Sequence, residues 1–255
     1  MPLPRLLSGL CAIGLLTVGA AHADNVPADF DALYAISINN FVIGESRIQL
    51  HAQAEDRYLY RSNTRSTGIA SLFRNDRVQE SSLFKLHRDQ IRPLEYRFDH
   101  TGAKKERHAL LRFDWPAKKV SNTVEGHTWE MSIPGHAMDK LVVQIAVMMD
   151  LSAGKEQLAY AIADGGKLKE YQFAVVGEER IKVPAGEFEV VKIERLRKDF
   201  DRTTYLWCAP GLNYLPVRIE QIEHEDEVTY LSELKQTSIE HRQATDAPLS
   251  AASVD

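Results

Sequence analysis

From residue 33 to residue 235 the chain keeps returning to one short unit, a run in which apolar and polar side chains alternate, closed by a turn-forming group of Asn, Asp, Gly or Pro. Alternation with a period of two places successive side chains on opposite faces of an extended strand, so one face can be buried while the other meets water. In 33–38, Tyr34, Ile36 and Ile38 alternate with small or polar residues; Asn39-Asn40 then supplies a turn, and 41–50 continues as a second strand. This reads as an opening hairpin, in which Gly44 marks a bulge or a close backbone approach. Further strands are expected at 57–67, 78–87, 94–98, 108–115, 120–124 and 128–133, and in the second half at 157–162, 168–176, 180–183, 188–197, 203–208, 214–222 and 228–235. Their separators include Asp164-Gly165-Gly166, Pro184-Ala185-Gly186 and Ala209-Pro210-Gly211. Many short strands with so few helices between them predict a mainly β, antiparallel architecture.

One segment departs from the period. In HAMDKLVVQIAVMMDLSAG the residues Met138, Leu141, Val142, Ile145, Met148 and Met149 fall at helical spacing, with Gly154 where a C-terminal cap belongs. Val143, Val147 and Leu151 lie off that stripe, so a helix over 138–151 needs cover on more than one side. The expected fold is therefore a strongly curved sheet or incomplete β-barrel wrapped around one central α-helix. Two roles fit the helix, a core rod or a lid over an apolar cavity. In the second, the methionines supply an adaptable lining, and the six residues of the stripe are the candidate ligand-binding set. A weaker helical turn is expected over 68–73.

The first 23 residues carry one cation, Arg5, then an apolar run from Leu6 to Val18 and the triplet Ala21-His22-Ala23, the order of a cleavable secretory leader. The apolar run is too short for a retained membrane span. The expected organisation is a leader at 1–23, one β-rich domain at 24–236 and a disordered tail at 237–255, with the mature protein in the periplasm. Loss of Arg5 takes the formal charge from −5 to −6. A mildly acidic chain has no electrostatic reason to seek nucleic acid, and no later apolar run is long enough to span a membrane. Of the two cysteines, Cys11 lies in the leader, which leaves Cys208 alone and excludes an internal disulfide.

Chemistry is sparsely signalled. Of nine histidines, His22 leaves with the leader, and the others show neither the His-Glu-x-x-His pair nor a Cys/His finger, so no metal is expected. There is no Gly-x-Ser-x-Gly elbow, and Gly165-Gly166-Lys167 lacks the remainder of a nucleotide loop, so no cofactor is expected. Asp199 and Asp201 beside Arg202, and the acidic run 225–227, read as charged surface loops. Cys208 shares a strand face with Leu206 and has no cation within five residues, the setting of a small buried hydrophobe. No catalytic residue is assigned.

Two stretches, Val183-Pro184-Ala185-Gly186-Glu187-Phe188-Glu189-Val190-Val191-Lys192 and Trp207 through Pro216-Val217-Arg218, resemble the bacterial exported proteins grouped as domain of unknown function 3108. The resemblance implies an envelope address and a mostly β fold, and transfers no catalytic residue. The same motifs are similar in style to periplasmic lipoprotein carriers of the incomplete-barrel type, although those use several helices where this chain has one. The function expected is non-enzymatic binding of an apolar or amphipathic envelope ligand, such as a lipid, or of a protein partner. The alternative is an envelope hydrolase acting on a glycan or ester through carboxylates and histidines from separate strands.

Overall fold

The computed structural model describes residues 26–54, 56–68, 71, 76–87, 90–196 and 201–240. The leader, most of the turn expected over 68–73, and residues 241–255 of the expected tail lie outside them. Among the described residues, fifteen strands form a single sheet. The strands are β1 (Phe30–Ile38), β2 (Phe41–Ala52), β3 (Arg57–Ser66), β4 (Arg77–His87), β5 (Gln90–Thr101), β6 (Arg107–Asp114), β7 (Lys119–Val124), β8 (His127–Ser132), β9 (Ala137–Asp139), β10 (Gln157–Asp164), β11 (Lys167–Val183), β12 (Gly186–Leu196), β13 (Arg202–Ala209), β14 (Leu215–Glu223) and β15 (Val228–Thr237).

The order is β8-β7-β6-β5-β4-β3-β2-β1-β15-β14-β13-β12-β11-β10-β9. Two meanders thus run outward from the central β1–β15 pair. Every pairing is antiparallel except β9 with β10. Beyond β15, Ser238 remains tied to β1: its hydroxyl accepts the Asp31 N–H at 2.9 Å.

The turns behave as their chemistry requires. Asn39 and Asn40 both take positive φ, 45° and 68°, and Gly165 and Gly166 take 58° and 73°, the left-handed conformations that let a two-residue connection match strand twist. At Gly44 both sequence expectations meet. The β1–β2 register slips between Ile36 and Ser37, and a Cβ on Gly44 would sit 2.5 Å from the Arg65 carbonyl oxygen.

Two expectations need correction. The stretches 168–176 and 180–183 are parts of one 17-residue strand, β11. Gly177-Glu178-Glu179, left outside both expected strands, continues the pairing: each of these residues pairs with β12, and a bulge between Val175 and Gly177 absorbs the irregularity. The helix, α1 (Val143–Ser152), begins later than the periodicity indicates, because Ala137–Asp139 leaves the helical path to form β9. Its end is as expected, with Gly154 at φ 75° donating its N–H to the Leu151 carbonyl at 2.9 Å.

The sheet curls around this helix. Ile145 and Met148 are fully buried, and Val143, Ala146, Val147 and Leu151 nearly so. They join one hydrophobic cluster with Leu50, Tyr60, Phe84, Ile162, Ile193 and Leu215 from strands around the whole sheet. A helix apolar on several sides is stable only in such a sleeve, where each large side chain contributes about 1.5–3 kcal/mol. The curl brings β9 against β5 without strand pairing between them, so the barrel is closed by side chains. Strands β6–β8 continue past this seam, and the Trp129 ring of β8 packs over Gly166 in the β10–β11 turn.

Candidate functional site at the barrel seam

The seam is open where two strands outrun their partners. β5 pairs with β6 only from Glu95 to His100, and β10 pairs with β9 only from Ala161 to Ala163. Residues 90–94 and 157–160 therefore flank a gap. A cleft of about 210 Å³ occupies it, walled by Ile91, Met138, Ala146 and Met149, with Gln90, His136, Asp150, Lys155 and Tyr160 supplying polar groups. A shallower groove of about 410 Å³ shares His136, Ala159 and Tyr160 and runs on to Leu168, which is 47% exposed.

Electrostatically the rim is settled. Asp150 accepts hydrogen bonds from Lys155 Nζ at 2.6 Å and from the Tyr160 hydroxyl at 2.8 Å. Burial, reinforced by the Asp150 charge, pushes the Tyr160 pKa far above its ordinary value, so the phenol stays a donor. The cleft thus joins an apolar wall to a fixed ion pair.

The six residues of the candidate set divide between two places. Met138, on β9, and Met149, on α1, line the cleft. Leu141, Val142, Ile145 and Met148 are buried in the core cluster, and the helix fills the concavity around them. Sequence periodicity alone does not reveal Asp150, Lys155 and Tyr160 as cleft residues, because their grouping depends on where β10 passes the end of α1.

A second polar group clasps the seam from inside. Asp139, with no exposed surface, accepts the N–H groups of Leu141 and Val142 at 2.9 Å each, and the Ser82 hydroxyl of β4 at 2.6 Å. Burial raises its pKa to about 6, opposed by those three donors. The next residue, Lys140, places its ammonium 3.0 Å from Glu80 and 4.3 Å from the Phe98 ring centroid, and Glu80 also accepts the Tyr96 hydroxyl at 2.5 Å. Asp139 and Ser82 are sealed from solvent, the Lys140–Glu80 pair stays partly exposed, and the corner acts as a fastening.

Cys208 is fully buried, and burial pushes its thiol pKa far up, so it is protonated packing material. Glu225, Asp226 and Glu227 form an exposed turn, while Asp199 lies outside the described residues. No group of three or more His, Cys, Asp or Glu side chains suited to a metal ion occurs among the described residues. No helix among them is long and apolar enough to cross a membrane.

A curved, largely antiparallel sheet around one helix, fastened at a side-chain seam, defines a β-barrel-like protein. The fold is similar to that of a β-barrel-like protein of domain of unknown function DUF1849 from Brucella abortus, with TM-score 0.55 at 10% identity over 84% of this chain and 98% of the other. A lipoprotein candidate from Parabacteroides distasonis aligns over 83% of this chain and 95% of its own at 11% identity, with a TM-score of 0.34. Among curated proteins none matches the sequence at a significant level. The family model for proteins of unknown function DUF3108 matches residues 33–230, and the chain belongs to that family.

Proposed function

We propose that this protein is an exported, non-enzymatic binder of an amphipathic cell-envelope ligand, held at the seam between β5 and β10. The observation that carries this reading is the cleft that Met138, Met149, Ile91 and Ala146 line together with the ion pair of Asp150 and Lys155. At about 210 Å³ it falls below the roughly 300–1,000 Å³ that encloses a drug-sized molecule. It suits a short alkyl segment or a compact headgroup, with the remainder of the ligand lying along the groove toward Leu168. The flexible methionine side chains adapt to such an occupant. The secretory character of residues 1–23 supports a periplasmic address.

The experiment is native mass spectrometry and lipid extraction of protein purified from its own periplasm, with uptake of a fluorescent fatty acid measured alongside. Met149→Lys, which sets a charge on the apolar wall, is expected to abolish uptake. Absence of a copurifying amphiphile together with absence of uptake overturns the reading.

A further inference from the structure

A different wall of the barrel carries buried hydrogen-bond donors that have no partner among the described residues. On β13, Thr204 precedes Leu206 on the face that supplies the core; Thr204 is only 9% exposed, yet its hydroxyl has no partner among the described residues. Two residues earlier on the same face, the Nε of Arg202 is buried without a partner, and so is the Nε of Arg195 on β12. Glu194 pairs with Tyr205, so one further step of that register sets Arg195 beside Thr204. Adjacent strands lie about 4.8 Å apart, which groups the three side chains in one patch.

The surroundings define the charge there. Arg202 Nη2 meets Glu223 at 2.5 Å, and Gln221, opposite Thr204, donates to the same carboxylate at 3.0 Å, so Glu223 is already occupied. The guanidinium of Arg195 lies flat on Tyr171, 3.5 Å from the ring centroid. Beyond Gln221 the same cross-strand row continues to Tyr230, which is 40% exposed, then Ile38 and Phe41, which is 76% exposed. The row thus passes from unsatisfied donors to exposed apolar surface.

We propose that Arg195, Arg202 and Thr204 form a second ligand site, on the concave wall between β12 and β13, that takes the anionic oxygens of a carboxylate or phosphate group. Buried donors are nearly always paired in folded proteins, and an unpaired set on neighbouring strands marks where an acceptor belongs. Guanidinium groups beside a hydroxyl are the donors that recognise such oxygens. Both arginines are half-buried and long, so they reach an anion entering along the row from Tyr230. The site is independent of the seam cleft, which other strands build.

The test is titration calorimetry at low salt on wild-type protein, Thr204→Val and Arg195→Gln, with inorganic phosphate, acetate, dodecanoate and dodecanol as probes. Wild type is expected to bind at least one anionic probe, with each variant weakening it by about tenfold or more and leaving dodecanol unchanged. Binding of phosphate or acetate identifies a free anion as the source, and binding of dodecanoate alone identifies an amphiphile headgroup. Because Thr204→Val removes an unsatisfied buried hydroxyl, its ligand-free melting temperature is expected to equal or exceed that of wild type. The proposal is overturned if no anionic probe binds, or if both variants titrate as wild type does.

Discussion

Ser82 on β4 and Asp139 at the end of β9 stand fifty-seven residues apart and are joined by a buried 2.6 Å hydrogen bond. The same carboxylate holds the first N–H groups ahead of α1. One side chain therefore fixes both the corner from which the helix enters the barrel and the wall against which that corner rests. This explains how a seam without strand pairing stays shut.

Asp139 gives stability a pH dependence whose sign is fixed. Its folded pKa of about 6 lies above the ordinary value, so the fold favours the neutral acid. That contribution is complete below about pH 4 and is lost as pH rises through about 6. In urea titrations, the stability of wild type relative to Asp139→Asn is expected to fall between pH 4 and 7, by at most ~3 kcal/mol. A difference that stays constant with pH contradicts this account. Asp139→Ala, which strands the two N–H groups, is expected to be about 1–2 kcal/mol less stable than Asp139→Asn, a difference that stays constant with pH because neither variant titrates there.

The helix and the cleft separate in mutagenesis. Ile145 is fully enclosed, so Ile145→Ala should cost about 2–5 kcal/mol through lost burial and the cavity left behind. Met149 borders the cleft, and Met149→Ala should cost clearly less while altering fatty-acid uptake. Equal destabilisation by the two substitutions argues that Met149 is ordinary core.

Gly44 should prove intolerant for a backbone reason. A methyl group there meets the Arg65 carbonyl oxygen at 2.5 Å, and backbone cannot swing aside as a side chain does. Gly44→Ala is expected to lower stability by about 1–3 kcal/mol. Gly177→Ala, with nothing within 4 Å, should fall within roughly 0.5 kcal/mol of wild type. Thermal unfolding of the pair decides the point.

Cys208 should be silent toward thiol reagents in the native protein and react only as fast as the fold opens, because its sulfur is enclosed and protonated. Cys208→Ser, which buries a hydroxyl among apolar neighbours, should cost about 1–3 kcal/mol and exceed Cys208→Ala. Rapid labelling of folded protein would show an exposed thiol and overturn this assignment.

Local chemistry made most of the strands and turns readable in advance. Alternation in Tyr34, Ile36 and Ile38, the paired asparagines after them, and the glycines at 165 and 166 act over a few residues, and those residues fold the same way wherever they are placed. The same locality misled at β11, where the polar Gly177-Glu178-Glu179 run has a turn's composition but is held straight by β12. It misled again at Met138, whose helical spacing is overridden because β10 offers Ala137–Asp139 a parallel partner.

What the amino-acid sequence determined by itself is a leader-like N-terminus, a meander of antiparallel strands, one helix demanding cover on several sides, and a cysteine without a cation close by in the chain. Tertiary structure alone decided that β15 pairs with β1, that β9 stops against β5, and that Met138 and Met149 line one cleft with Asp150, Lys155 and Tyr160. The physical reason is range. Alternation and turn conformation are set by neighbours along the chain, whereas a cleft is the space left when distant strands of unequal length curl together.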